Sequence, residues 1–305
     1  MPSSFWESSL FIYFRFKSYL LKRLAKSIIY ISIPTTIVCI LHEFDIVKFG
    51  NSLTLPGLLG AALGILLVFR NNTAYERWWE ARKALGGLVN NSRNFALQSN
   101  QLLKEDDVEL RKILSLIAAF PYTLKEHLRH GVILSEIEFI GEKYMDYVRP
   151  CKHKPNALAN LMSERITHAS KSGMLTDYQR IKMMEYVDRN VDLLGICERI
   201  HNTPIPSAHN YLLKFYIFVY TISLPFGFVG TLHWWSIFAV AAIYFLAMSI
   251  VTIAEEIEDP FGRDPNDLPV DAIARNIHNN INEIYESESG VSLDEGRPKE
   301  KKLVS

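Results

Sequence analysis

The sequence predicts an all-α membrane protein, with four transmembrane helices per subunit and a cytosolic helical bundle. Three observations predict it. The apolar residues gather into four long runs, the polar stretch between the second and third run shows helix-period apolar spacing, and basic residues collect on one side of the runs.

The runs are 28–41, 55–69, 211–232 and 234–254. Crossing the hydrocarbon core takes about 20 apolar helical residues. The third and fourth runs meet that length almost without charge, and Lys214 near one end can snorkel. The first reaches it with its flanks. The second is short at roughly 15 residues, or about 22 Å of helix, which suits the interior of a protein bundle better than lipid.

Residues 70–207 carry Ile113, Leu114, Ile117 and Phe120, then Met183, Met184, Val187, Val191 and Leu194, at helical spacing and without strand-like alternation. They are expected to form several amphipathic helices, broken near Gly173 and near Pro150 and Pro155. Residues 286–305 have no apolar period and are expected to be disordered. The organisation is then a cytosolic segment at 1–27, two membrane helices in 28–69, a cytosolic helical region at 70–207, two membrane helices in 208–254, a cytosolic segment at 255–285 and a tail.

Orientation follows from Arg15, Lys17, Lys22, Arg23 and Lys26 before the first run and Arg70, Arg77, Arg82 and Lys83 after the second, against Lys48 alone between them. The positive-inside rule places both termini and the middle region in the cytoplasm. Residues 231–233 make a tight outer turn, with Trp234 and Trp235 at the interface.

Composition excludes several classes. With 33 basic and 33 acidic residues the chain lacks the positive field of a general nucleic-acid binder. Cys39, Cys151 and Cys197 lie far apart and form no disulfide framework or zinc knuckle. Polar and aromatic residues 1–9 precede the basic stretch, so no secretory signal is expected. No P-loop, Rossmann fingerprint, nucleophile elbow or zincin motif occurs, and no catalysis is expected.

In the second run, Thr54 is an expected N-cap and Pro56 fits the first turn. Gly57, Gly60 and Gly64 share a face that permits close helix approach. Beside it run Ala61, Ile65 and Phe69, successive members turned by only about 40° on a helix of 3.6 residues per turn. Such a stripe is either core packing or, repeated around an axis by several subunits, an apolar constriction that gates ions by dewetting. After it come Arg70-Asn71-Asn72-Thr73-Ala74-Tyr75-Glu76-Arg77-Trp78-Trp79-Glu80-Ala81-Arg82. Aromatics and paired charges suit a membrane interface, which accounts for the composition of this run but not for its order.

That order resembles the bestrophin family, in particular its bacterial branch, where F-R-x-N-x-A-Y-x-R-W-W-E-A-R follows the pore-lining helix. Arg70, Asn72, Tyr75, Glu76, Arg77, Trp78 and Trp79 carry the match. A second segment, Glu256-Ile257-Glu258-Asp259-Pro260-Phe261-Gly262, is similar to the family's N/D-P-F-G segment after its fourth membrane helix, and the resemblance covers roughly 14–284. It implies a homopentamer in the inner (plasma) membrane that conducts small monovalent ions passively. Its neck gate would be Ala61, Ile65 and Phe69, and a cytosolic constriction would fall near Ile181. Anions such as chloride are the family default; a sodium-preferring channel of the same fold is the alternative, and a non-conducting scaffold or carrier a second.

Asp259, Asp264 and Asp267 are the candidates for a weak cation site. Animal bestrophins resemble this region but have an uninterrupted acidic run and bind Ca²⁺ there. Here Pro265 and Asn266 interrupt the run and Arg263 opposes a cation, so no cofactor or metal is expected, Ca²⁺ included. Pro225 and Gly227 inside the third span are expected to make a packing kink, or else to expose a carbonyl to ions. His127 and His130 beside Glu126 form a weak metal pattern and are expected to be surface histidines, like His153 after Cys151.

Overall fold

The computed structural model describes residues 3–46, 54–129 and 131–289, with side chains from 22 to 286. Among the described residues the structure is entirely helical. Four of its helices are long and apolar enough to cross a membrane, over Lys22–Glu43, Thr54–Leu103, Ser207–Leu232 and Trp235–Glu258. The protein is a multi-pass membrane protein.

Its helices form two compact units, one of residues 1–76 and 205–258 and one of 77–204 and 259–305. The first contains α1 (Ser3–Glu43), the beginning of α2 (Thr54–Leu103), α7 (Ser207–Leu232) and α8 (Trp235–Glu258), with α1 packed on α7 and α8 and α7 on α8. Leu63, Leu213, Ile217, Ala247 and Val251 make one core cluster, and Val38, Cys39 and Val229 a second. Helices in lipid gain little from hydrophobic burial against each other, so close fit and local polar bonds must hold them. Both occur here: the Tyr220 ring lies over Gly60, and the Tyr216 hydroxyl donates to the Leu59 carbonyl at 3.3 Å.

The second unit holds the rest of α2, then α3 (Asp107–His127), a 3₁₀ turn (Leu134–Ile140), α4 (Glu142–Val148), α5 (Lys154–Lys171), α6 (Asp177–Asn202) and α9 (Val270–Ser289). Residues 113–120 of α3 carry apolar side chains around nearly the whole helix, the mark of a central helix, and it packs on α5 and α9. Local chemistry sets the boundaries. Asp106 accepts from the Glu109 amide to start α3, Thr176 and Gln179 form a capping box on α6, and Gly173 ends α5 at φ 79°, where a Cβ would be strained.

Several expectations change. The second span is the start of a 50-residue helix that continues without a break past Phe69 and Arg70; the polarity changes there, but no proline or cap stops the backbone. Thr54 is its first helical residue, and 47–53, with Lys48, lie outside the described residues. Residues 3–27 are helical, and α9 carries residues 286–289 of the expected tail; 290–305 lie outside the described residues. On α6 the buried face is Met183, Val187, Asn190, Leu193, Leu194, Cys197 and Ile200, while Val191 is exposed, because the period of 3.6 drifts off a strict spacing of four. The tight turn between the last two spans is as expected: α7 ends at Leu232, His233 adopts φ 46°, and α8 begins at Trp235.

Candidate functional site

The first half of α2 has two opposite faces. Leu63 is 3% exposed and packs with Leu66 and Leu67 in the core of its unit. Ile65 and Phe69 are 59% and 63% exposed, and Ala61 is exposed beside them. The stripe is therefore not core packing within the subunit. Gly57 and Gly64, on its flank, have no neighbouring atom within 4 Å of where a Cβ would stand. Ala61, Ile65 and Phe69 offer an ion no oxygen ligand, so any barrier they make is one of wetting and width.

Immediately below the stripe the helix carries a buried charge. Arg70 Nη2 meets Glu258 Oε2 at 2.5 Å, and Glu258 Oε1 accepts from the Ile205 amide at 2.8 Å. The neighbouring carboxylates are also engaged, Glu256 by Arg23 at 2.8 Å and Glu255 by Lys214 at 2.6 Å. An acidic cluster at the end of α8 is thus neutralised by cations from three other helices, with Glu256 and Glu258 buried.

In the second unit, Arg77 donates to the Ile200 and Thr203 carbonyls, both at 2.6 Å, where the end of α6 presents unpaired acceptors. Trp78 donates its indole N–H to the Asn266 carbonyl at 3.2 Å, and Glu80 pairs with Arg199. Asn72, Tyr75, Glu76 and Trp79 are exposed.

Asp259, Asp264 and Asp267 do not gather as a three-ligand set among the described residues. Asp259 lies 3.9 Å from His201, and Asp267 accepts from the Asp264 amide at 2.6 Å, closing the turn after Gly262. A Cβ on Gly262 would stand 2.5 Å from Asp267 Oδ2, so any larger residue there would push the Asp267 carboxylate out of the turn. Arg129 fixes the same turn by donating to the Phe261 and Gly262 carbonyls at 2.7 and 2.9 Å. It and Lys125 also bind Asp271. Burial raises the Asp271 carboxyl, but hydrogen bonds from Lys125 and Arg129 outweigh it and hold it down at about 2.

Ile181, on α6, is 53% exposed. Pro225 is buried within a continuous α7, and nearby Thr221 and Ser223 bond back to the Ile217 and Tyr220 carbonyls. The histidine pattern changes. His130 lies outside the described residues, Glu126 turns toward Lys125 and Arg129, and His127 instead meets His153 and Glu198. Sequence spacing gives no signal for that meeting, because the three residues come from three helices.

The sequence pattern of the bacterial and fungal bestrophin proteins matches residues 3–283. The chain belongs to the bestrophin family. A voltage-dependent anion channel-forming protein of Nostoc sp. is 39% identical over 73% of this chain and 74% of its own length. One of Salmonella typhi is 28% identical over 90% of each. The crystal structure of a bacterial bestrophin homologue from Klebsiella pneumoniae is 28% identical and superposes with a TM-score of 0.80, covering 86% of this chain and 98% of that one. In this bestrophin the first motif segment reaches residues 188 further along the chain twice, Arg70 meeting Glu258 of the second segment in one unit and Trp78 meeting Asn266, just past that segment, in the other.

Proposed function

We propose that five copies of this bestrophin surround a central pore that passes small monovalent ions, anions such as chloride first, and that Ala61, Ile65 and Phe69 form its apolar neck. The observation that carries this reading is the exposure of Ile65 and Phe69 on the face of α2 opposite buried Leu63. An apolar stripe beside open glycines suits close helix approach around an axis. The names of the curated relatives support anion conduction. Ile181 is assigned to a second, cytosolic ring. The protein is placed in the inner (plasma) membrane with both termini cytoplasmic, which the basic flanks of the first two spans support.

Reconstitution in liposomes tests the reading. Flux is expected with chloride salts, with a reversal potential in a salt gradient that follows the anion. A reversal potential that follows sodium replaces anion by cation conduction, and absence of flux from intact oligomers leaves the scaffold or carrier. Native mass measurement in mild detergent should give five chains, and a periplasm-active reporter should be silent when fused after Ser305.

A further inference from the structure

His127 ends α3, His153 stands at the N-cap of α5, and Glu198 lies on α6. Both imidazole Nε2 atoms approach one oxygen, Glu198 Oε1, at 2.7 Å each, and the two rings are 4.4 Å apart between centroids. All three side chains are partly exposed, so a solvent ion can reach them. We propose that His127, His153 and Glu198 form a binding site for a divalent transition ion of the zinc class, which clamps α3, α5 and α6 together. The proposal does not depend on ion conduction.

The chemistry of the donors selects the class of metal. Two imidazoles and one carboxylate suit Zn²⁺, Co²⁺ or Ni²⁺, whereas Ca²⁺ and Mg²⁺ prefer all-oxygen shells. With metal–ligand bonds of about 2.0–2.1 Å, tetrahedral donors stand roughly 3.4 Å apart. The 2.7 Å contacts are hydrogen bonds, and each must open by about 0.7 Å for an ion to enter. Three protein ligands leave a fourth position for water. The adjacent Cys197 does not fill it, because its side chain is buried in the hydrophobic core of the unit.

Neighbouring cations do not compete for the carboxylate. Lys154 donates to the Cys151 carbonyl at 3.1 Å, and Lys125 and Arg129 are taken up by Glu126, Glu136 and Asp271. One existing bond must yield. His153 Nδ1 accepts from the Asn156 amide at 3.3 Å, which places the ring proton on Nε2. Metal binding at Nε2 moves that proton to Nδ1 and turns the acceptor into a donor, so the cap of α5 is exchanged for the metal bond. At 3.3 Å that cap is long and weak.

The test uses the full chain in detergent, free of affinity tag and treated with chelator, titrated with ZnCl₂ by calorimetry and with CoCl₂ by visible absorbance. One zinc ion per chain should bind, cobalt should give the visible bands of a tetrahedral site, and zinc should raise the melting temperature. His127→Ala, His153→Asn and Glu198→Gln should each weaken binding roughly tenfold or more. Asn at 153 keeps an N-cap on α5, so that variant separates ligand loss from misfolding. His168→Ala, on α5 beside Glu109, should bind as the parent does. No saturable zinc binding, or unchanged stoichiometry and affinity in the assembled His127→Ala/His153→Asn variant, overturns the site.

Discussion

Arg70 and Glu258 stand 188 residues apart in the chain and 2.5 Å apart in the fold, the arginine side chain wholly buried and the glutamate nearly so. The pair joins α2, directly below Phe69, to the end of α8. Arg70 Nε and Nη1 are buried without a hydrogen-bond partner among the described residues, so Glu258 supplies the compensation for the charge. Glu258→Ala should therefore destabilise the protein by about 3–5 kcal/mol, the cost of an uncompensated buried charge. Thermal unfolding in detergent measures this. Arg70→Met with Glu258→Gln should recover much of the loss, since the glutamine can still accept from the Ile205 amide; a double variant as unstable as Glu258→Ala would sink the argument.

The exposed stripe predicts how conductance responds. Phe69→Ala and Ile65→Ala should widen and wet their rings and raise single-channel current. Ala61→Ile should narrow the outermost ring and lower it. An unchanged or smaller current from intact Phe69→Ala oligomers would remove the neck assignment.

On the opposite face, Leu63 should behave as a core residue. Leu63→Ala is expected to cost about 2–5 kcal/mol through lost contacts and a residual cavity, with unitary current unchanged in the channels that still assemble. A change in current without loss of stability would mean that this face, too, reaches the pore.

Acid should loosen the Asp271 junction in a defined window. Its carboxyl falls from 3.8 to about 2 on folding, so its contribution is complete above the unfolded value and is lost as pH drops through about 2. With the side chain 44% exposed, solvent screening reduces this to about 1 kcal/mol. Asp271→Asn should remove that part of the acid limb in a stability-against-pH curve and lower stability at neutral pH. An unaltered acid limb would show that Lys125 and Arg129 are satisfied without it.

Calcium should be dispensable. Asp267 is used to close the turn at Asp264, and Asp259 stands apart, so chelating Ca²⁺ should leave flux unchanged. A requirement for micromolar Ca²⁺ that Asp264→Ala abolishes would reverse this reading.

The sequence by itself determined what depends on local composition and period. Four apolar runs are long enough to cross a bilayer, alternation typical of strands is missing, and Ala61, Ile65 and Phe69 must share a face because 3.6 residues make a turn. The ordered run from Arg70 to Arg82 and the Pro260-Phe261-Gly262 segment were also legible, and they carried the family. Tertiary structure decided what depends on partners distant in the chain. It showed that α2 runs straight through the polarity change at Arg70, which composition alone had read as a boundary. The contacts of Leu63, not its hydropathy, separate the buried face of α2 from the equally apolar exposed one. Arg23 and Arg70 are the partners of Glu256 and Glu258, and no sequence spacing names them. His127, His153 and Glu198 have no spacing to read, since they meet only where three helices end or pass. Helix periodicity fixes which residues face the same way; it cannot fix what they face, because that is set by packing between segments that the chain brings together only when it folds.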